Sequence, residues 1–585
     1  MPATRADTSE GCSHVNLQRM EPHNEAMFLR SYIYSMKDAH PMPIRSRSKN
    51  SPVKGHWICA VFWSLGILLL SDPSDLRASA PPNILLIMAD DLGFSDLGCY
   101  GGEIQTPQLN RLASEGLRFT QFYNTARCWP TRGALLSGHY AQSIRRDTLE
   151  GVPSGASGLR PSWAKLMPHY LKGAGYRSYH SGKWHVDGMP LANGFDRSYY
   201  LKDQGRFFYP KVHWKDDAPL PEVAADANFY ATTAIADHAI ECLREHAAEY
   251  PDRPFFHYVA FTAPHFPLHA REEDTLAYQG VYDQGWDQVR HQRWQRQQAM
   301  GLASGPPSEV ERDLGPPYAF PQALKVLGPG EVNRPLPWET LNAEQKAFQT
   351  QKMILHAAMV DRMDQEIGRI LNQLSAMKAE EDTLVLFLSD NGASAEIMVR
   401  TDGHDPQVRP GSGPSYLCLG PGWSTACNTP FRKHKTWVHE GGMHTPLIVR
   451  WPAGITHAGQ WVDQPGHVID LLPTFLQACG IYENPLPGAG DPSLPGVNLL
   501  PVLRHPQKRI QRSQPLWWFH EGHRALRQGD WKIVATRDQP WELYDLKTDP
   551  QERVNVASEN PSEVQAMAGA WQRMHATFQR MAQTP

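Results

Sequence analysis

The sequence predicts an α/β fold: a large mixed, mostly parallel sheet flanked by helices, with a smaller C-terminal α+β domain built on an antiparallel sheet. Three observations carry this expectation. Short unbroken apolar runs each stop at a polar cluster, helix-like stretches lie between them, and after about Leu503 the pattern changes to alternating, aromatic-rich pieces.

The first run, Asn83 to Met88 (NILLIM), has the pattern of a strand buried on both faces of a parallel sheet, and it stops at Ala89-Asp90-Asp91. Tyr176 to His180 runs into Gly182-Lys183-Trp184-His185. Pro254 to Phe261 ends in Ala263-Pro264-His265, and Thr383 to Leu388 ends in Ser389-Asp390-Asn391-Gly392. Thr106 to Gly116 and Ala347 to Met377 read as helices, the second with apolar residues near 3.6 spacing. Strands alternating with helices imply an open α/β sheet. Tyr282 to Arg296 reads as a further helix whose Arg and His residues form a solvated face, and the Pro- and Gly-rich stretch Pro306 to Pro337 as a long surface excursion. Leu516 to His520, Trp531 to Ala535 and Trp541 to Tyr544 supply the small antiparallel sheet.

At 585 residues the chain exceeds the roughly 250–300 at which single cores stop growing. The expected divisions are an N-terminal extension with a signal peptide over 1–80, a catalytic domain over 81–503 and the antiparallel-sheet subdomain over 504–585. The 57 Lys and Arg nearly balance 61 Asp and Glu, so no global charge recommends nucleic acid as partner. Ile58 to Leu70 is an apolar run preceded by Arg45, Arg47, Lys49 and Lys54 and followed by Ala78-Ser79-Ala80, the layout of a secretory signal. It is shorter than the roughly 20 residues a bilayer span requires, so an exported protein, periplasmic or secreted, without a stable membrane span is expected. Six cysteines remain after Ala80, too few for a disulfide scaffold, although Cys418 and Cys427 are close enough in sequence to bridge.

In open α/β sheets ligands bind beyond the carboxyl ends of the strands. Four separate stretches therefore deliver Asp90, Asp91, Lys183, His185, His265, Asp390 and Asn391 to one rim. Any one of them could be a helix cap or a solvated side chain; four coincidences at the same topological position are harder to explain that way. The segment Cys128-Trp129-Pro130-Thr131-Arg132-Gly133 adds a helix start, because Pro is tolerated in the first turn. With Cys128 near the cap, Arg132 lies about one turn along, and a cation beside a helix N-terminus makes an anion site.

Cys-x-Pro-Thr-Arg followed by Leu-x-Ser-Gly resembles the signature of the formylglycine-dependent sulfatases, arylsulfatase-like members of the alkaline-phosphatase-like superfamily. The resemblance extends in order through Pro82-Asn83-Ile84 with Ala89-Asp90-Asp91-Leu92-Gly93, Gly182-Lys183-Trp184-His185, Ala263-Pro264-His265, Ser389-Asp390-Asn391-Gly392, and Pro430-Phe431-Arg432 leading to Lys435 and Glu440-Gly441-Gly442. Thr131 stands where many members carry Ser. The resemblance implies that Cys128 is oxidised to formylglycine by a maturation enzyme, and that its hydrate is the nucleophile. It implies that Asp90, Asp91, Asp390 and Asn391, with residue 128, hold one divalent cation. Hard oxygen donors favour calcium, or magnesium, over zinc. Arg132 and Lys183 would steady the nucleophile, His265 and Lys435 would contact sulfate and protonate the leaving alcohol, and His185 would act as general base. The substrate would be a sulfated small molecule or polysaccharide. Two rivals are a phosphodiesterase or phosphonate hydrolase of the same superfamily, and a silent carbohydrate-binding protein, which would need neither Cys128 nor the full metal set.

Overall fold

The computed structural model describes residues 81–481 and 491–584. The signal-peptide expectation, on residues 58–80, lies outside the described residues. At the centre of a ten-stranded sheet are four parallel strands: β1 (Asn83–Ala89), β2 (Arg177–Gly182), β3 (Phe255–Ala260) and β4 (Thr383–Ser389). They lie side by side in the order β4, β1, β3, β2. All of β3 and β4 is buried, as is β1 after Asn83, which explains their unbroken apolar runs. The sheet is mixed at its flanks: Leu447–Arg450 runs antiparallel to β4, and His213–Lys215 antiparallel to Arg197–Leu201.

Helices cover both faces. The predicted stretches are α1 (Pro107–Glu115) and, much later in the chain, a 34-residue helix over Ala343–Ala376 that opens with an Asn342/Gln345 capping box. Thr106 does not cap α1 with its side chain. Asp364 of the long helix does so instead, accepting from the Gln108 and Leu109 amides at 2.9 and 2.8 Å, so one helix satisfies the orphan donors of the other.

The stretch expected to be solvated is helical over Gly285–Ala299, but its charges are not all in water: Arg290 and Arg293 are buried. Arg293 pairs with Asp96 and Glu103, each at 2.7 Å, and Arg290 donates to the carbonyls of Thr425 and Ser308, both at 2.8 Å. A guanidinium with enough partners can be internal, and composition alone does not reveal those partners. Residues 306–337 do form a largely irregular excursion, broken by a short helix over Pro321–Leu327.

The C-terminal antiparallel sheet has four strands, Leu516–His520, His523–Gln528, Trp531–Ala535 and Glu542–Asp545, and the helix Pro561–Gln583 follows it. It shares an apolar core with the large sheet, continuous from Ile84, Leu86 and Met88 to Trp517, Leu526, Ile533 and Trp571. Cys418 and Cys427 are separate, buried thiols. Among the described residues no helix is long and apolar enough to cross a membrane.

Candidate active site

Strand register builds the site. Ala89 of β1 lies opposite Ser389 of β4, and Gly182 of β2 opposite Ala260 of β3. The residues that follow, Asp90, Asp390 and Lys183, therefore leave the sheet at one level. Backbone bonds fix their departure: the Asp390 amide donates to Ala89 O at 3.2 Å, the Lys183 amide to Ala260 O at 2.8 Å, and the Asp90 amide to Ala263 O at 3.0 Å. Asp91 has a φ of +64°, and this turns its carboxylate back toward the rim.

Cys128 enters on α2 (Cys128–Ser137). The cap is the extended Arg127, so Cys128 occupies the first helical position and not the cap position expected from sequence. The helix is almost wholly buried and ends at Gly138 in the left-handed region. Thr131 anchors it: its hydroxyl donates to Asp390 O at 2.7 Å and lies 2.8 Å from that of Thr125. Burial pushes the Cys128 thiol up, against the pull of Lys183 and Lys435, so the thiol is neutral.

The other predicted residues surround it. Arg132 donates to Asp390 Oδ2 through Nη2 at 2.6 Å and Nε at 2.9 Å, and to Lys183 O at 3.1 Å. Its guanidinium is thus committed to the carboxylate wall. Lys183 Nζ lies 2.5 Å from Asp90 Oδ2, and Lys435 Nζ 2.7 Å from Asp91 Oδ1. His265 Nε2 lies 3.8 Å from Asp91 Oδ2, while its Nδ1 faces Phe266 O. His185 has a φ of +56° and its Nδ1 has no hydrogen-bond partner. Burial, then Lys183 and Arg132, push His185 well below its ordinary value, and burial holds His265 at about 4.

Residues that the sequence did not single out complete the arrangement. Glu396, in the loop after Asn391, receives Arg127 at 3.2 Å and Lys435 at 3.0 Å. The Tyr258 hydroxyl accepts from Arg132 at 3.3 Å. Trp129 lies between His185 and His520, with ring centroids 5.8 and 5.7 Å away, so the C-terminal sheet forms one wall. No pattern marks such residues in a sequence: Glu396 is a loop carboxylate, and Trp129 reads as a packed aromatic. Conversely, the Gly441 and Gly442 motif is structural. A Cβ at Gly442 would stand 1.9 Å from Trp437 O, and one at Gly441 2.4 Å from Arg432 O. Arg432 points away from the site to Glu311 and Glu542, at 2.9 and 3.1 Å.

Four buried cations, Arg127, Arg132, Lys183 and Lys435, thus face four buried carboxylates, Asp90, Asp91, Asp390 and Glu396. Among the described residues two oxygens of the site have no hydrogen-bond partner, Asp90 Oδ1 and Asn391 Oδ1. Asn391 Nδ2 donates to Asp91 Oδ1 at 2.7 Å, which leaves its carbonyl oxygen free. Burial and the nearby Asp390 charge raise the Asp90 carboxyl. Burial also pushes Asp91 upward, but Lys435 and His265 outweigh it and the group ends below its ordinary value. Ligand atoms of Asp90, Asp91 and His265 lie within 4.8 Å of one another. Unpaired buried oxygens beside repelling carboxylates fit a hard divalent cation.

Comparison with known proteins agrees with this geometry. The sulfatase family model matches residues 82–481, and the model of the N-sulphoglucosamine sulphohydrolase C-terminal region matches residues 432–580. An uncharacterised sulfatase of Schizosaccharomyces pombe is 31% identical over 84% of this chain and 93% of its own length. An arylsulfatase of Klebsiella aerogenes is 31% identical over 71% of this chain and 90% of its own. The crystal structure of Ps i-CgsB in complex with k-i-k-neocarrahexaose superposes with a TM-score of 0.59 at 22% identity, over 86% of this chain and 94% of that one. The chain belongs to the sulfatase family, with the fold of the alkaline-phosphatase-like superfamily.

Proposed function

We propose that this sulfatase hydrolyses sulfate esters with a nucleophile made by oxidising Cys128 to formylglycine, assisted by one divalent cation, calcium in preference to magnesium. The observation that carries the proposal is the pair of unpartnered buried oxygens, Asp90 Oδ1 and Asn391 Oδ1, among carboxylates at the rim where Cys128 begins its helix. Asp90, Asp91, Asp390 and Asn391, with residue 128, would hold the cation. When both groups are present, the cation supplies Lewis-acid polarisation, and the hydrated aldehyde supplies an oxygen nucleophile with a second hydroxyl through which sulfate can be released.

The surrounding residues have distinct tasks. Lys435 would neutralise charge on the sulfate oxygens, while Lys183, paired with Asp90, and Arg132, which holds Asp390, would steady the nucleophile. With Nδ1 of a neutral His265 donating to Phe266 O, Nε2 carries no proton, and a bound sulfate anion favours the protonated ring that hands a proton to the leaving alcohol. His185, held neutral by burial and by Lys183, is suited to remove a proton as general base. The reading includes a formylglycine-generating maturation partner, a sulfated small molecule or polysaccharide as substrate, export to the periplasm or medium, and the division into 1–80, 81–503 and 504–585.

The direct test compares kcat/KM for an aryl sulfate and an aryl phosphodiester on one preparation. Preference for the sulfate, abolished by chelation and restored by calcium or magnesium, is expected. Preference for the phosphodiester would transfer the site to the rival hydrolase class.

A further inference from the structure

Beside the site, and beyond the residues that would handle the scissile sulfate, the loop after β4 continues from Glu396 to Arg400. Arg400 Cζ lies 5.8 Å from the centre of the Phe266 ring, and Lys435 Nζ lies 5.4 Å from the same ring. The two cations are therefore separated by no more than these distances together, which is within the reach of a sugar unit and its substituent. Tyr416 adjoins them: its ring centroid is 6.4 Å from that of Phe266, and its hydroxyl senses the charges of both Arg400 and Lys435.

Arg400 and Tyr416 open onto a cleft of about 360 Å³ that Lys202, Asp203, Arg206 and Thr401 also line, Asp203 being spent on Arg206. The cations here differ in kind. Arg206 is paired, donating to both oxygens of Asp402 at 2.5 and 2.8 Å and to Asp203 at 2.9 Å. These bonds tie the 400–405 turn to the loop after Arg197–Leu201, and the Tyr416 amide donating to His404 Nδ1 at 2.9 Å ties its other side. Arg400 and Lys202 are exposed, and among the described residues neither has a carboxylate within ion-pairing distance. The tied turn and the loop beside it thus present one exposed cation each, Arg400 and Lys202, to a cleft next to the site where Lys183 and Lys435 gather positive charge. Such an arrangement favours a ligand with a second negative group.

From this juxtaposition we infer that Arg400 and Lys202 form an accessory anion subsite, which selects substrates carrying a second sulfate or carboxylate on the ring next to the one that bears the scissile ester. The inference rests on the sulfatase reading of the site and narrows it to polyanionic oligosaccharides. Tyr416 and Phe266 supply the apolar wall between the two anion positions, and Arg206 holds the turn in place.

The test uses the full chain, in its native form and as the double variant Lys202→Ala/Arg400→Ala, with three probes. These are a disaccharide sulfated on both rings, the same disaccharide sulfated on one, and its counterpart with a carboxylate in place of the distal sulfate. The native protein should favour the doubly sulfated over the singly sulfated disaccharide in kcat/KM by about tenfold, and the double variant should bring that ratio close to one. The preference should also shrink as ionic strength rises. The carboxylate probe decides whether the subsite takes any anion or sulfate alone. A ratio unchanged by the double variant, or near one in the native protein, overturns the subsite. If no sulfate ester turns over, the parent reading fails separately, and calorimetric titration of the disaccharides decides the subsite without turnover: equal affinities for the doubly and singly sulfated forms overturn it.

Discussion

Among the described residues two buried clusters bring together the donors that metals favour, and they differ in how fully those donors are hydrogen-bonded. At Asp96, every carboxylate oxygen is taken: Arg293 donates to Oδ1 at 2.7 Å, and the Gly93 amide and His356 reach Oδ2 at 2.9 and 3.0 Å. Cys427 Sγ lies 3.8 Å from His356 Nε2. Burial opposes the Asp96 charge, but His356 and Arg293 hold its carboxyl well below the ordinary range, while burial drives the Cys427 thiol far up. At Asp90, by contrast, Lys183 satisfies one oxygen and the other has no partner, as is also true of Asn391 Oδ1. Proximity of potential ligand atoms does not separate the two clusters. The accounting of their hydrogen bonds does: the first is a closed network within the fold, and the second leaves Asp90 Oδ1 and Asn391 Oδ1 unpaired.

The largest expected effect follows from the second cluster. Asp90→Ala or Asp390→Ala should remove the cation and lower kcat by roughly 10²–10³-fold or more, read by elemental analysis and aryl sulfate turnover together. Full activity in metal-free protein would erase the distinction between the clusters. Asp96→Ala should behave in the opposite way. It removes the carboxylate partner of His356 and one of the two carboxylates of Arg293, Glu103 staying at 2.7 Å, and should cost about 1–3 kcal/mol in denaturant unfolding, with metal content unchanged. Loss of metal from this variant at native stability would mean that the closed cluster is the metal site.

The two histidines should fail at different steps, each at about 10²–10⁴-fold. In rapid-quench kinetics His185→Ala should release an initial burst of alcohol from an activated aryl sulfate and then stall. His265→Ala should lose most with leaving groups of high pKa. Identical leaving-group dependence and no burst in either variant would reassign both. The smallest effect is at Glu311, where the excursion meets Arg432 and Lys433. Burial opposes its charge, but Lys433 and Arg432 bring the carboxyl down to about 2. A depressed carboxyl stabilises the fold above its unfolded value and loses that contribution as pH falls through the folded one, here between about 4.5 and 2. Because Glu311 is about a third exposed, Glu311→Gln should flatten the acid limb of a stability–pH curve by about 1 kcal/mol or less. An unchanged limb would place the acid sensitivity elsewhere.

The sequence exposed the strands and the rim because both leave one-dimensional traces. An unbroken run such as Leu384 to Leu388 ends where a ligand group begins, and parallel register then brings Asp390 level with Asp90. The predicted residues Asp90, Asp91, Lys183, Asp390 and Lys435 do meet, linked by the ion pairs among them and Arg132. What stayed hidden depends on partners distant in sequence. Arg293 looked like a surface charge because Asp96 lies 197 positions away, and Glu396 acquires meaning only when Arg127 and Lys435 close on it. Likewise, nothing in α2 announces that Trp129 would face His520 of the C-terminal sheet.

On the proposed formylglycine reading, the group at the start of α2 is not a thiol in the working enzyme. Mass spectrometry of the peptide spanning Ala126 to Arg132, on preparations made with and without a competent maturation system, tests it directly. Activity should rise in proportion to the fraction of Cys128 found as the aldehyde or its hydrate, and protein made without maturation should carry the intact thiol and be inactive. Fully active protein with an unmodified Cys128 thiol would rule out formylglycine as the nucleophile.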